Sequence, residues 1–293
     1  MVTTIQPTTQ KRKHFSFKQI IPWFALFPLF LFGIAFQLVP VVTLLRSSLI
    51  GKNGLTFEYF SRAFTPTIIE SFGNSLRLSL ATASLGVLFG TLVAMAIISS
   101  PKKLVRDALT ALADVTTNFG GAPLAFAFII TLGSTGVVTL ILKAIGVNLY
   151  PEFRIYSITG LTIAYLYFQM PLMILLIIPS LLGLKKEWWE AAINLGANST
   201  RFWWHVGLPI LAPALMSSFL LLFANSFGAY ATAWTLTGPD VNLVTVQIAA
   251  LIRGEVQLQP ELADALAVVS LLIMSFCVAG YIWLSGRANR GHS

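Results

Sequence analysis

The chain has 293 residues, of which 56% are hydrophobic and only 10% are charged. Soluble domains carry about 25% charged residues, and a soluble protein of this composition would expose large apolar patches, so a soluble globular fold is excluded. The formal net charge of +8 does not indicate nucleic-acid binding, because the basic residues lie between apolar segments. The composition therefore predicts an integral membrane protein that is solvated by the lipid bilayer.

The chain opens with a polar tail, residues 1–19, which ends in the basic run 11–13. Residues 20–45 are then almost wholly apolar, and about 20 helical residues cross a bilayer. This segment is longer than the apolar region of a signal peptide, and no small-residue cleavage site follows it. It predicts a first transmembrane helix that is retained.

Further apolar segments are long enough to span a membrane. They are residues 76–98, 109–132, 158–180, 208–236 and 263–284. A shorter stretch, 137–145, contains Lys143 and predicts either a helix at the membrane surface or an extension of the third span. The expected fold is an all-α polytopic membrane protein with six spans.

The distribution of basic residues predicts the orientation. With the N-terminus inside, 12 of the 19 Lys and Arg residues fall in inside segments and 7 in outside segments of similar length. The positive-inside rule then places both termini in the cytoplasm. The expected organisation is a cytoplasmic tail (1–19), a six-span domain (20–285) with a cytoplasmic loop at 181–207, and a cytoplasmic tail (286–293).

The third span is irregular. Pro123 cannot donate a backbone hydrogen bond, and the preceding pair Gly120 and Gly121 lowers the cost of unwinding. A broken helix at membrane depth indicates a cavity or solute pathway, although a simple packed kink is an equal alternative. The candidate pathway residues are Asn118, Gly120, Gly121, Pro123, Gln169, Asn225 and Tyr230. The polar side chains among them are also suited to ordinary hydrogen bonds between helices.

Asp114 is an acidic residue inside the same span. A carboxylate at the centre of a transmembrane helix costs about 3 kcal/mol on insertion scales. Because Asp114 lies near the cytoplasmic end of the span, a structural or interfacial role is favoured over a role in solute binding. The lone cysteine, Cys277, is interpreted as a small apolar residue of the last span.

The loop between the fourth and fifth spans has the pattern of two short helices. Residues 187–195 favour a helix with acidic residues in its first turn, and Gly196 is a typical helix end. Asn198, Ser199 or Thr200 is suited to cap a second helix that runs to the membrane. These features alone are also compatible with an ordinary amphipathic connection.

This loop resembles the conserved motif of permease subunits of binding-protein-dependent ABC importers. That motif reads Glu-Ala-Ala, three residues, Gly, nine residues, an aliphatic residue, any residue and Leu-Pro. The matching residues are Glu190, Ala191, Ala192, Gly196, Val206, Leu208 and Pro209. Val206 replaces the commoner Ile. Residues 72–284 resemble the type I permease core, and segments 55–60 and 226–230 resemble the polyamine, phosphonate, iron and sulfate group.

The resemblance implies a set of partners in a bacterial inner membrane. A coupling helix around residues 190–196 would dock on a dimer of cytoplasmic ATP-binding subunits. A second permease, identical or homologous, would complete the solute pathway, and an extracytoplasmic solute-binding protein would deliver a polyamine or another small charged solute. ATP would be bound by the ATPase, because this chain lacks the Gly-x-x-x-x-Gly-Lys-Ser/Thr phosphate loop; no cofactor is expected here.

Other functional classes fit less well. A transporter driven by an ion gradient is the main alternative, but it usually shows internal repeats and intramembrane charge pairs, which are not visible here. A membrane-embedded enzyme would need metal ligands or a nucleophile, and His14, His205 and His292 all lie outside the predicted spans. A channel would need a pore-lining filter, and no such pattern is visible. The chain is therefore expected not to be an enzyme and to hold no metal.

Overall fold

The architecture comes from a computed structural model that describes residues 21–51, 54–255 and 258–290. The basic tail at 1–19 lies outside the described residues. The α-helices, in chain order, are α1 (Ile21–Gly33), α2 (Val39–Leu49), α3 (Glu58–Arg62), α4 (Pro66–Ile98), α5 (Lys103–Asn118), α6 (Gly121–Leu132), α7 (Val137–Ala144), α8 (Ile158–Leu182), α9 (Lys186–Asn194), α10 (Ser199–Phe202), α11 (Leu208–Phe227), α12 (Ala231–Thr237), α13 (Val244–Arg253) and α14 (Pro260–Arg290).

Irregular elements join some of these helices. A π-helical turn, Ile34–Leu38, links α1 to α2, and a second, Trp203–Gly207, links α10 to α11. Two short antiparallel strands, β1 (Ile50–Gly51) and β2 (Gly54–Leu55), form a hairpin after α2.

Six helical segments among the described residues are long and apolar enough to cross a bilayer, which confirms the six-span all-α class. They are Leu26–Leu49, Pro66–Ile98, Gly121–Ala144, Ile158–Leu182, Ser199–Phe227 and Pro260–Gly286. The largest differences from the sequence-based bounds concern the third and fifth spans. The third begins and ends later than 109–132, because the polar residues of α5 make α6 and α7 the more apolar pair. The fifth begins earlier than 208–236, because α10 and the π-helical turn continue into α11.

The centre of the molecule is a close crossing of α4 and α8. A Cβ atom on Gly86 would lie 3.3 Å from the Cβ of Gln169, and one on Gly90 would lie 2.6 Å from the Cβ of Met173. Small residues allow membrane helices to approach to such distances and so gain van der Waals contact. The two glycines therefore fix how α8 lies against α4.

Two hydrophobic clusters pack around this crossing. One cluster joins α4, α8 and α11 and includes Met173, Ile177 and Leu222. The other joins α6, α8 and α12 and includes Tyr165 and Leu124. The first span stands apart from both, since none of its most apolar 18-residue window is buried within the chain.

Candidate functional site

The third and fifth predicted spans are both interrupted. Helix α5 ends at Asn118 and α6 begins at Gly121, while α11 ends at Phe227 and α12 begins at Ala231. Gly121 has a φ of +71°, a left-handed conformation that favours glycine. Pro123 follows in the first turn of α6, where a backbone N–H would have no partner within the helix. The sequence indicated the first break but not the second.

The two breaks are joined by hydrogen bonds. The backbone N–H of Gly121 donates to Oγ1 of Thr232 at 2.9 Å, and that hydroxyl donates back to the Gly121 carbonyl at 3.3 Å. At the second break, the hydroxyl of Tyr165 donates to the carbonyl of Ala229 at 2.7 Å. Backbone groups that a break leaves without a partner in their own helix need such hydrogen bonds, so the two breaks are stabilised by the fold.

A cavity of about 420 Å³ lies between the two breaks. Its lining residues are Thr117, Asn118, Gly120, Gly121, Phe168, Asn225, Ala229, Tyr230, Ala231 and Thr232. Of the pathway residues predicted from the sequence, Asn118, Gly120, Gly121, Asn225 and Tyr230 line this cavity. Pro123 and Gln169 do not.

Gln169 lies behind the cavity wall. It is 0% exposed, and its Nε2 donates to the Leu222 carbonyl at 2.7 Å. Its Oε1 accepts a hydrogen bond from Nδ2 of Asn225 at 3.3 Å. Gln169 therefore joins α8 to α11 and orients Asn225 without lining the cavity itself.

Five lining residues were not among the predicted pathway residues: Thr117, Phe168, Ala229, Ala231 and Thr232. Threonine and phenylalanine are ordinary residues of a membrane helix, so only the position of the second break singles out Thr232. A cation–π contact was also not predicted from the sequence. The guanidinium of Arg253 lies 5.6 Å from the ring centroid of Tyr230 and 5.4 Å from that of Trp234.

Asp114 lies outside the first cavity. It is exposed on α5 and lines a second cavity of about 640 Å³ between α5, α4 and α8, together with Asp107 and Arg106. Helix α5 thus contributes its last residues to the first cavity and its earlier turns to the second.

The ABC-type motif begins in α9 and ends at the start of α11. Glu190 is exposed and forms an ion pair with Lys186 at 3.1 Å, one turn earlier. Ala191 is also exposed, whereas Ala192 and Val206 are half-buried. Val206 lies in the π-helical turn, and Leu208 and Pro209 begin α11.

Gly196 ends α9 with a Schellman motif. Its φ of +77° is left-handed, its N–H donates to the Ile193 carbonyl at 2.8 Å, and the N–H of Ala197 donates to the Ala192 carbonyl at 2.9 Å. Asn198 then caps α10, accepting the N–H of Arg201 at 2.9 Å, which confirms one of the three predicted caps.

Aromatic rings hold α9 against the start of the fifth span. The Trp189 ring meets the Phe202 ring edge-on at 4.8 Å, and Phe202 is buried. Trp203 covers Gly207 so closely that a Cβ there would lie 2.5 Å from a ring atom of Trp203. These contacts make α9, α10 and α11 one connected unit. The outer surface of this unit carries an apolar side chain, that of Leu195, which is 88% exposed.

No model of a known protein family matches the chain. The chain is 24% identical over 226 residues to the chloroplastic sulfate permease 2 of Chlamydomonas reinhardtii, a match that covers 76% of this chain and only 58% of that protein. It is 26% identical over 226 residues to the molybdenum transport system permease protein ModB of Mycobacterium bovis, covering 76% of this chain and 82% of the relative.

A solved structure shares the fold. A chain of a bacterial ABC transporter that imports the acidic polysaccharide alginate superposes with a TM-score of 0.68 and 18% identity, covering 93% of this chain and 96% of that one. The permease relatives, the six-span fold and the loop motif agree, so the main alternative, a transporter driven by an ion gradient, is set aside. The chain is therefore similar in sequence and in fold to permease subunits of ABC importers.

Proposed function

We propose that this permease forms a solute pathway with a second permease subunit, and that α9 docks on a cytoplasmic ATP-binding subunit. The observation that carries this proposal is the connection of α9 to the cavity. Trp189 packs on Phe202, and the helix that starts there continues through α11 to the break beside Asn225. A movement of α9 imposed by ATP-driven closure would thus reach the cavity through one connected element.

The surface of α9 suits a protein partner. Ile193 and Leu195 expose apolar side chains on an element that projects from the spans, and Ala191 leaves room for close approach. Exposed apolar groups in water favour burial by another protein. The proposed topology puts this surface and both termini in the cytoplasm of a bacterial cell, with a solute-binding protein on the opposite side.

The solute is proposed to be small and charged. The names of the two relatives given above refer to sulfate and to molybdenum. The sequence also resembles that of polyamine permeases. None of the most apolar 18-residue window of the first span is buried by the rest of the chain, which supports contact of this window with lipid or with the second permease.

Reconstitution of the chain with its second permease, ATPase and solute-binding protein tests the proposal. Glu190→Lys should abolish ATP-driven uptake while the chain still inserts in the membrane, because the reversed charge meets the ATPase. Lys186→Ala is the matched control, since it removes the same exposed ion pair, worth at most about 1 kcal/mol, without reversing the charge of residue 190. Normal uptake by Glu190→Lys would refute the assigned docking surface.

A further inference from the structure

The guanidinium of Arg253 lies beside one wall of the cavity between the two breaks. It contacts the rings of Tyr230 and Trp234, at 5.6 and 5.4 Å from their centroids. The two rings are stacked, with centroids 6.1 Å apart and an interplanar angle of 21°. Tyr230 lines the cavity, whereas Arg253 and Trp234 do not. Arg253 therefore acts on the cavity through the ring of Tyr230.

The ring of Tyr230 is held by its faces and not by its hydroxyl. That hydroxyl is buried and has no hydrogen-bond partner among the described residues. A hydroxyl without a partner gives the ring no directional support. The contacts with Trp234 and Arg253, together with packing in the second hydrophobic cluster, therefore set the position of this ring.

Arg253 is the last residue of α13, and the other end of this helix is fixed to α4. The backbone N–H of Val244 donates to Oγ of Ser75 at 2.9 Å, in a buried hydrogen bond. Just before α13, Nδ2 of Asn242 donates to the carbonyl of Thr67 at 2.9 Å. Both acceptors belong to α4, so α13 is expected to keep its position on that helix.

The rings that Arg253 contacts lie at the start of α12, which is paired with α6. Each of these two helices begins at a break, and the hydrogen bonds between Thr232 and Gly121 join them. Residues at the ends of helices are where hinge motions are commonly absorbed. The contact of Arg253 thus connects a helix pair that can turn at its breaks to a helix that is fixed on α4.

This contact is weak enough to break and form again in each transport cycle. The side chain of Arg253 is 49% exposed and also forms an ion pair with Glu255 at 3.6 Å. A cation–π contact at an exposed site shifts an equilibrium by only about two- to fivefold. Glu255 remains a partner for the guanidinium when the rings move away.

The contact lies at the end of α11 that is remote from α9. Helix α11 has 20 residues, a length of about 30 Å, which is close to the thickness of a bilayer core. The second break and α12 follow its far end. Because the proposed topology puts α9 in the cytoplasm, it puts Arg253 on the extracytoplasmic side, where an imported solute would enter.

We propose that Arg253 is a positioning residue of the transport cycle, which holds Tyr230 and Trp234 so that the cavity is closed toward the extracytoplasmic side. When the contact breaks, α12 turns at the second break and the cavity opens to that side. This inference rests on the proposed import function. It assigns the outer closure of the pathway to one contact between α12 and α13.

Thiol labelling of a cysteine in the cavity tests this assignment. The full complex with the second permease and the ATPase is studied in right-side-out vesicles without ATP. The cysteine replaces Asn118, an exposed lining residue on α5, in a Cys277→Ser background. Arg253→Ala should raise the rate of labelling by an impermeant reagent about two- to fivefold, because the closed state loses an exposed cation–π contact. Arg253→Lys keeps a cation near the rings and should label more slowly than Arg253→Ala.

Arg62→Ala is the matched control. Arg62 is placed on the same side of the membrane, and its guanidinium donates to Oε1 of Gln259 at 2.7 Å, away from the cavity lining. Its loss should leave the labelling of Asn118→Cys unchanged. An equal increase with Arg62→Ala, no increase with Arg253→Ala, or equal labelling of Arg253→Lys and Arg253→Ala would each overturn the inference.

The sidedness of the effect separates closure from general loosening of the structure. In inside-out vesicles Arg253→Ala should not raise the labelling rate, and an equal increase there would also overturn the inference. Assembly with the ATPase and ATP-driven uptake are measured on the same samples. A complex that assembles and imports solute, but in which Arg253→Ala does not change labelling, refutes this inference alone. Failure of the parent chain to assemble with the ATPase would instead refute the proposed function.

Discussion

Thr232 accepts the backbone N–H of Gly121 at 2.9 Å and so joins the break between α11 and α12 to the break between α5 and α6. Both residues line the same cavity. Because α12 and α6 each begin at a break, this contact lets a displacement of one helix act on the other. We expect transport to depend on this connection and on the attachment of α9 to α11.

Replacing Thr232 with valine removes the connection without changing the shape of the side chain. The N–H of Gly121 would be left unpaired, at a cost of about 1–3 kcal/mol. We expect Thr232→Val to lower solute uptake while assembly with the ATPase persists. Thr237→Val is the matched control on the same helix, because the Thr237 hydroxyl donates only to a carbonyl of its own helix. Equal uptake by the two variants would show that the contact is not needed.

The paired glycines of the first break should respond differently to leucine. A Cβ on Gly120 meets nothing within 4 Å, so Gly120→Leu should fill the cavity and block uptake with little loss of stability. Gly121→Leu should also lower the thermal stability, since its left-handed backbone costs about 1–2 kcal/mol for a residue with a Cβ. Uptake and thermal unfolding of the purified complex measure both effects. Normal uptake by Gly120→Leu would show that the cavity is not part of the solute pathway.

Two glycines with the same backbone conformation test the Schellman end of α9. Gly196 has a φ of +77° and Gly146 a φ of +87°, and a Cβ on either one meets open space. Alanine therefore costs about 1–2 kcal/mol of backbone strain at both positions. We expect Gly196→Ala to uncouple ATP hydrolysis from uptake. Gly146→Ala, in a loop proposed to lie on the other side of the membrane from α9, should leave coupling intact. Equal coupling in both variants would contradict the role of this turn.

The proposed topology predicts which side of the membrane each loop faces. In a Cys277→Ser background, Asn194→Cys should react with an impermeant thiol reagent only in inside-out vesicles. Asp240→Cys should react only in right-side-out preparations, and both original residues are exposed. The opposite labelling pattern would show that the chain has the reverse orientation in the membrane and that α9 does not lie in the cytoplasm.

Local chemistry explains which features the sequence could predict. Gly196 and Asn198 make hydrogen bonds to residues close in sequence, so the end of α9 and the cap of α10 could be predicted from the sequence. The first break could also be predicted, because Gly120, Gly121 and Pro123 lie close together in the sequence. For Gln169 the sequence left open a place in the pathway or a hydrogen bond between helices. Its partners, Leu222 and Asn225, are distant in sequence, and only the fold brings them together.

The second break, between α11 and α12, has no comparable group of glycine and proline residues in the sequence. A single glycine, Gly228, precedes it, and the unwound carbonyl of Ala229 is stabilised by Tyr165 from another helix.

Site-specific cross-linking beside α9 shows whether this helix docks on an ATP-binding subunit. A photoreactive amino acid would replace Leu195, whose side chain is 88% exposed, or Leu258, which is 69% exposed near the start of α14. After irradiation in cells, mass spectrometry would identify the captured protein. Position 195 should capture an ATP-binding subunit, and position 258 should not. Capture of that subunit from position 258, or its absence from position 195 in a complex that transports solute, would show that α9 is not the docking surface.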